Sequence, residues 1–390
     1  MEIHKINIGF PIYFYKNQPF DYDHPTKIKD FPNKGTVSRL IGSIQKNLPD
    51  NFRVDIFIIL GKSKKEGLSN EEIERLTIQV IKEKIRKDKR INFYILGNRA
   101  FKELKKTKSD LIIDNRGYGN IRNLLLITQV IFNLPFLVNL DDDEIIKNRE
   151  FFFQVKKIEE KIKRKRNLGG IGGLCVNQKL SPSISRVRKI NPRMNIFTQR
   201  KIIQQQLIEK FTKEKWTFPA GVVFGGINVI KKDIAKNVCY DPYILRGEDI
   251  DFILNAYFRG YSFGVLSNFN VIHRPPKLSS AQEKSKLLKD ILRFLYEKRK
   301  IEIMSQRYKI PLNKIYTLTQ PYPAFFLERD KKELLKEASA YIKKEDLERR
   351  IRYHFPYEIK KFIRMYEDWP FYIKKEIIPK KNIKNLLVKI

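Results

Sequence analysis

From Ile6 to Ile162 the chain alternates runs that read as strands with runs spaced as helix faces, and this order limits the fold more than any other feature. Ile6 to Tyr15 is β-rich. Val37, Leu40, Ile41, Ile44 and Leu48 then fall on one helical face. Val54 to Leu60 is apolar apart from Asp55, the mark of a parallel strand covered on both sides. Ser69 and Glu72 form a capping box ahead of Ile73, Leu76 and Val80. Ile91 to Leu96 predicts a strand, Asp110 to Ile113 a short one, and Leu124 to Phe132 a helix. Phe136 to Leu140 predicts a strand, followed by a helix carrying Phe151, Val155, Ile158 and Ile162. Such alternation predicts an α/β, Rossmann-like, doubly wound and mostly parallel sheet. Ligands of such sheets bind beyond the carboxyl ends of the strands.

The second half is less regular. Gly169 to Gly173 is Gly-rich but lacks the context of a dinucleotide-binding loop, and reads as a flexible turn into a strand. Residues 180–215 are basic and polar, with a helix near Ile203 to Phe211. Strand signals return at Val222 to Val229 and at Tyr261 to Ile272. The character changes after Pro275-Pro276. An amphipathic helix is expected over 281–300, and the Lys- and aromatic-rich remainder reads as mostly helical. These signals predict an α/β domain over 1–280 and a C-terminal helical appendage over 281–390, with the boundary near 277–282.

Lys and Arg number 79 against 44 Asp and Glu, a formal charge of +35. Such an excess favours an anionic partner, whether nucleotide, phosphorylated molecule, nucleic acid or membrane surface. Cys175 and Cys239 form neither a zinc-type spacing nor a disulfide framework, so a cytoplasmic setting is expected. Met1 to Lys5 shows no signal-peptide core, and the most apolar window, Asn123 to Leu140, is broken by Gln129, Asn133 and Pro135. The aromatic and basic tail, with Tyr366, Trp369, Phe371 and Tyr372 beside Lys374 and Lys375, suits either helical packing on the main domain or a peripheral contact with the inner face of a membrane.

Three acidic or acid-linked patches stand out of this basic background. The apolar run ending at Leu140 meets Asp141-Asp142-Asp143-Glu144. Carboxylates so crowded repel one another, and Mg²⁺ or Mn²⁺ relieves the repulsion by taking oxygen ligands. One Asp is enough to cap the helix that follows. The second patch is Arg246-Gly247-Glu248-Asp249-Ile250-Asp251, at the start of another helix. A carboxylate there suits a group that takes a proton from a hydroxyl. The third is His273, between Ile272 and Arg274-Pro275-Pro276, a strand-end imidazole able to close a metal site.

In order and spacing these patches resemble the GT-A nucleotide-diphospho-sugar glycosyltransferases, family 2 and its relatives, over residues 3–277. Ile8-Gly9-Phe10-Pro11 looks like the first strand beside the nucleotide base. Gly117 to Asn123, containing Arg122, is similar to the family's Gly…Arg-Asn segment, and Leu140-Asp141-Asp142-Asp143 to its DxD motif. Gly225-Gly226-Ile227-Asn228 resembles the glycine pair before the acceptor region, Arg246-Gly247-Glu248-Asp249 the Glu-Asp motif, and Val271-Ile272-His273 the late histidine. Where the family places an acid after its second strand, Gly61-Lys62-Ser63 stands here, which leaves the nucleoside open.

The resemblance implies a nucleotide-binding half over 1–145 and an acceptor half over 146–280. It implies Asp249 as catalytic base with Glu248 positioning the acceptor. Donor binding falls to Phe10, Pro11, Arg122, Asp141 and Asp142, acceptor binding to Gly225, Gly226 and Arg246, and Mn²⁺ or Mg²⁺ to Asp141, Asp143 and His273. The expected partners are a nucleotide-sugar donor and a small or lipid-linked, acidic acceptor. An inverting hexosyltransferase is the first expectation, and a retaining enzyme of the glycosylglycerate-synthase type the second. A nucleotidyltransferase shares the sheet and the metal, but its Gly-rich basic loop after the first strand is missing among Lys16, Lys27, Lys29 and Lys34. A nucleic-acid binder fits the charge alone, without a recognisable module.

Overall fold

The computed structural model describes residues 2–15, 26–27, 36–61, 69–84, 88–106, 114, 117–176, 194, 196–223, 226–274, 280–379 and 381–390. The first half runs β1 (His4–Tyr15), β2 (Thr26–Lys27), α1 (Thr36–Asn47), β3 (Phe52–Gly61), α2 (Asn70–Lys84), β4 (Ile91–Leu96), α3 (Asn98–Lys105), α4 (Tyr118–Ile131), β5 (Phe136–Asn139) and β6 (Glu144–Ile145). Next come α5 (Glu150–Arg164), β7 (Leu168–Val176), α6 (Ile196–Glu214), β8 (Trp216–Ala220), β9 (Asn228–Lys231), α7 (Lys232–Asn237), α8 (Glu248–Phe258) and β10 (Ser262–His273). The C-terminal region holds α9 (Ser280–Tyr308), α10 (Leu312–Thr319), α11 (Ala324–Leu327), α12 (Lys331–Ala338), α13 (Lys344–Arg349), α14 (Phe355–Tyr372) and β11 (Val388–Lys389).

The run Val54 to Leu60, apolar apart from Asp55, is buried throughout, and β3 accordingly lies inside the sheet between β1 and β4. Strand β1 pairs parallel with β3 from His4 opposite Phe52 to Tyr13 opposite Gly61, and parallel with β5 at Ile8–Val138 and Gly9–Asn139. The chain therefore steps from β1 outward to β3 and β4, then returns to place β5 on the other side of β1. That reversal opens a crevice at the strand carboxyl ends. The three aspartates leave β5 at this point.

Helix α2 begins as its sequence dictates. Ser69 N–H donates to Glu72 Oε2 at 2.8 Å and Glu72 N–H to Ser69 Oγ at 3.1 Å, the reciprocal capping box. The predicted short strand at Asp110 to Ile113 lies outside the described residues, as do residues 277–279 of the expected boundary at 277–282, while 280–282 begin α9.

The sheet is mostly parallel, as expected, and most of its antiparallel pairs fall in the second half. Strand β9 runs antiparallel to both β5 and β7, while β7 and β10 pair parallel, and β6 and β8 are antiparallel additions to β10. Gly169 to Gly173 is not a turn: it forms the body of β7. The glycines serve close packing, since a Cβ on Gly172 would overlap the Val223 side chain and one on Gly173 the Phe269 carbonyl. Val222 and Val223 are buried but precede β9, which starts only at Asn228. Apolar character recorded burial there, and Val223 satisfies it by filling the space beside Gly172.

Helix α9 lies against α8 and carries a stripe of buried charges. Lys300 Nζ donates to Asp241 Oδ2 at 3.0 Å and pairs with Asp251, while Tyr296 O–H donates to Asp241 at 3.0 Å. Burial pushes the Asp241 carboxyl up to about 6 in spite of the opposing pull of Lys300. The hydrophobic core runs without a break from Ile6 in β1 to Leu387 beside β11. Among the described residues no helix is long and apolar enough to cross a membrane.

Candidate active site

Beyond the carboxyl ends of β1 and β5 lies a cavity of about 380 Å³. Its walls bring together Arg122 from α4, Asp141, Asp142 and Asp143 after β5, and His273 at the end of β10. They also hold Gly226 and the run Arg246 to Ile250 at the start of α8. Residues separated by more than a hundred positions thus share one space. Gly225 lies outside the described residues. Phe10 and Pro11 are buried within β1 and are not part of the cavity wall; Tyr13, two residues further along β1, is.

The acidic turn is held residue by residue. The Asp141 carboxylate pairs with the Arg122 guanidinium, which is itself buried. Asp142 accepts a hydrogen bond from Thr36 Oγ1 at 2.6 Å, tying the turn to the first residue of α1. Asp143 Oδ2 stands 3.2 Å from His273 Nε2, and the Asp143 carbonyl accepts the Arg274 N–H at 3.0 Å. Pairing of β6 with β10 sets Glu144 opposite His273, so the acidic turn and the late histidine are fixed by the sheet itself.

Glu144 is the residue that the sequence reading left without a role. It is fully buried, accepts the Asp141 N–H at 3.0 Å, and lies 3.2 Å from Cys175 Sγ. Burial, reinforced by the Asp141 charge, pushes its carboxyl up to about 8. A proton held there at neutral pH relieves part of the repulsion among the four acids. Gly226 packs onto this carboxylate so closely that a Cβ would overlap Glu144 Oε1 and stand 3.0 Å from Asp141 Oδ2.

His273 feels opposing influences. Burial favours the neutral imidazole, but the hydrogen bond and charge of Asp143, with Glu144 and Asp141 behind it, carry its pKa up to about 9. The 3.2 Å gap between Asp143 Oδ2 and His273 Nε2 is also close to the ~3 Å edge between neighbouring ligands of an octahedral cation held at about 2.1 Å. Among the described residues no group of three His, Cys, Asp or Glu side chains is arranged around a metal position. The donor set fits a hard divalent ion only in the mode where substrate phosphate oxygens and water complete the shell, which is the usual mode for Mg²⁺.

Across the cavity, Gly247 adopts φ +75° and initiates α8, a backbone conformation that glycine takes at least cost. Glu248 and Asp249 follow in the first turn. Burial raises the Glu248 carboxyl to about 7, Asp249 adds to the rise, and Arg122 at 3.9 Å opposes it. The C-terminal region supplies this wall too. Asp290 of α9 bridges Arg246, at 2.9 Å, and Arg200 of α6. Arg293 bonds Glu297 at 3.1 Å, and its guanidinium packs on Gly247, where any Cβ would overlap it. Sequence reasoning missed Arg200, Asp290, Arg293 and Tyr322, all of which line the cavity.

No protein-family model matches this chain, and no curated protein is similar to it. Several solved structures resemble it distantly. A mannosyltransferase from Pyrobaculum calidifontis in complex with GDP-Man and Mn²⁺ shares 10% identity at a TM-score of 0.42, over 98% of this chain and 86% of that one. S. aureus TarS, residues 1–349, shares 12% identity at 0.41, over 95% and 91% of the two chains. Glucosyl-3-phosphoglycerate synthase from Mycobacterium tuberculosis, in complex with Mn²⁺ and uridine-diphosphate-glucose, shares 10% identity at 0.41, over 75% and 79%. Likenesses this distant leave the chemistry to be argued from the site.

Proposed function

We propose that the chain is a divalent-metal-dependent glycosyltransferase of the GT-A type, moving a sugar from a nucleotide-diphosphate donor to a hydroxyl of an anionic acceptor. One observation carries the reading: the acidic turn after β5, the strand-end His273 and the Glu248-Asp249 pair, distant in sequence, line a single cavity at the point where the strand order reverses.

Each group has a task there. Asp143 and His273 would hold Mn²⁺ or Mg²⁺, with Asp141 beside them. The ion, when bound, neutralises the charge that develops on the departing diphosphate. Arg122 fixes Asp141 and keeps the acidic turn folded against the donor. Asp249 accepts the proton of the acceptor hydroxyl as its oxygen bonds to the anomeric carbon, and Glu248 orients that hydroxyl. With Asp249 on the face of the sugar opposite the departing diphosphate, the single displacement inverts the anomeric carbon. The wall behind them supports an acceptor bearing phosphate or carboxylate, because Arg200 and Arg246 converge there on the single carboxylate of Asp290. Guanidinium groups suit bidentate recognition of such anions.

Calorimetric titration with nucleoside-diphosphate sugars, with and without Mn²⁺, tests the donor half. Binding must depend on the ion, and Asp143→Asn must weaken it at least tenfold. Asp249→Asn should retain donor affinity while transfer falls by three orders of magnitude or more. Loss of donor binding in that variant, or retention of anomeric configuration in the product by NMR, refutes the role given to Asp249.

A further inference from the structure

Most of the exposed surface is an ordinary charged one, but one helix face differs. Of the eight large apolar side chains exposed among the described residues, three lie on the continuous helical stretch formed by α14 and its two flanking π-helical turns, Arg350–His354 and Ile373–Ile377, and a fourth directly follows it. They are Tyr353 (65% exposed), Tyr357 (58%), Phe371 (64%) and Ile378 (42%). Tyr353, Tyr357 and Phe371 are separated by 4 and 14 residues, close to whole turns, so these three share one side. Lys360, Lys361, Arg364 and Lys375 are exposed along the same side, with Lys374 next to it. Asp368 is the exposed acid within this stripe, and Arg364 pairs with it at 3.8 Å.

The helix cannot roll to hide these rings. Its opposite face is buried through Phe355, Ile359, Phe362, Tyr366 and Trp369. Tyr366 O–H donates to the Asn255 carbonyl at 2.7 Å, and Trp369 Nε1–H to the Ala235 carbonyl at 3.0 Å. Arg259 in turn donates to the Tyr366 carbonyl at 2.7 Å. The aromatic and basic side chains are therefore presented outward by a fixed support.

We infer that this face docks peripherally on an anionic lipid bilayer. Aromatic rings favour the depth of the headgroups, where an apolar body and a polar tip are both satisfied. Lysines beside them lay their stems on the apolar layer and reach their ammonium groups to lipid phosphates. From Tyr353 to Phe371 the stripe is about 27 Å long at 1.5 Å per residue, so the helix would lie along the surface. A protein partner fits less well, because the cores of protein interfaces are depleted in Lys. This inference is independent of the sugar-transfer reading.

The test is flotation of the full chain with vesicles of phosphatidylglycerol and phosphatidylcholine, against vesicles of phosphatidylcholine alone. A charge of +35 gives any anionic vesicle some attraction, so the variants decide. The pair Tyr357→Ser and Phe371→Ser, which leaves the charge unchanged, should lower partitioning about tenfold. Lys374→Glu with Lys375→Glu should do the same. Lys82→Glu with Lys157→Glu, an equal charge change at two exposed lysines on α2 and α5, should stay within twofold of the parent. Circular dichroism and thermal midpoint identify any variant that has unfolded. Should Tyr357→Ser with Phe371→Ser disturb the fold, the charge-reversal pair decides alone. Stripe variants that float like the parent, an equal loss in the α2/α5 control, or failure of the parent to float on anionic vesicles overturns the inference. So does loss of single-stranded RNA binding in the stripe variants while flotation persists.

Discussion

At the residue scale the site depends on side chains that are expensive to bury and are kept together by one another. Glu144 shows this most clearly. A fourth acid beside three aspartates raises repulsion, yet it is fully buried and bonded to the Asp141 N–H. Its carboxyl pKa of about 8 lets it hold a proton there at neutral pH. Gly226 belongs to the same arrangement, because only a residue without a side chain leaves room for that carboxylate. Gly226→Ala should shift Glu144 and Asp141 at an overpacking cost of about 1–3 kcal/mol. Ion-dependent binding of a sugar nucleotide should then fall more than tenfold in titration, while thermal unfolding registers only that modest loss of stability. An unchanged affinity would show that the turn tolerates displacement.

At the element scale two kinds of signal behave differently. The capping box of α2 is local, and the sequence alone places it. Ser69→Ala should cost about 1 kcal/mol in urea unfolding, the usual worth of an N-cap hydroxyl. Helix α9 is the opposite case. Lys286, Asp290, Arg293, Glu297 and Lys300 recur at spacings of four and three with alternating sign, and all five are buried. Amphipathic reading assigns such a row to solvent, because charged residues are almost never fully buried unless paired. Arg293 and Glu297 pair with each other along the helix, but the partners that permit burial of Asp290 and Lys300, namely Arg200, Arg246, Asp241 and Asp251, lie outside it. A strictly alternating charged row on one helix face, opposite an apolar one, was the available clue.

At the scale of the whole molecule the C-terminal region completes the cavity. It supplies Asp290, Arg293 and Tyr322, and the Lys300 cluster fastens it to α8, which carries Glu248 and Asp249. Lys300→Met removes one charge from a buried triad and leaves two aspartates uncompensated. The expected loss is about 3–5 kcal/mol in denaturant unfolding, as for a broken buried pair. A loss below about 1 kcal/mol would mean that water reaches the cluster. The sequence by itself determined the first sheet half, with β1, β3, β4, β5 and the helices α1, α2 and α4 between them, because apolar runs, helix-face spacing and a capping box are short-range statements about burial; α3 carried no such signal. It also marked the acidic turn, the Glu-Asp pair and His273 as groups in need of partners. Only the tertiary structure decided which way β9 runs, that Gly169 to Gly173 is a strand, and that Tyr13, rather than Phe10 or Pro11, lines the cavity. It alone brought Arg200, Asp290 and Arg293 to the site. The reason is physical: strand direction, steric clearance and charge compensation are properties of pairs of segments, and no single segment carries them.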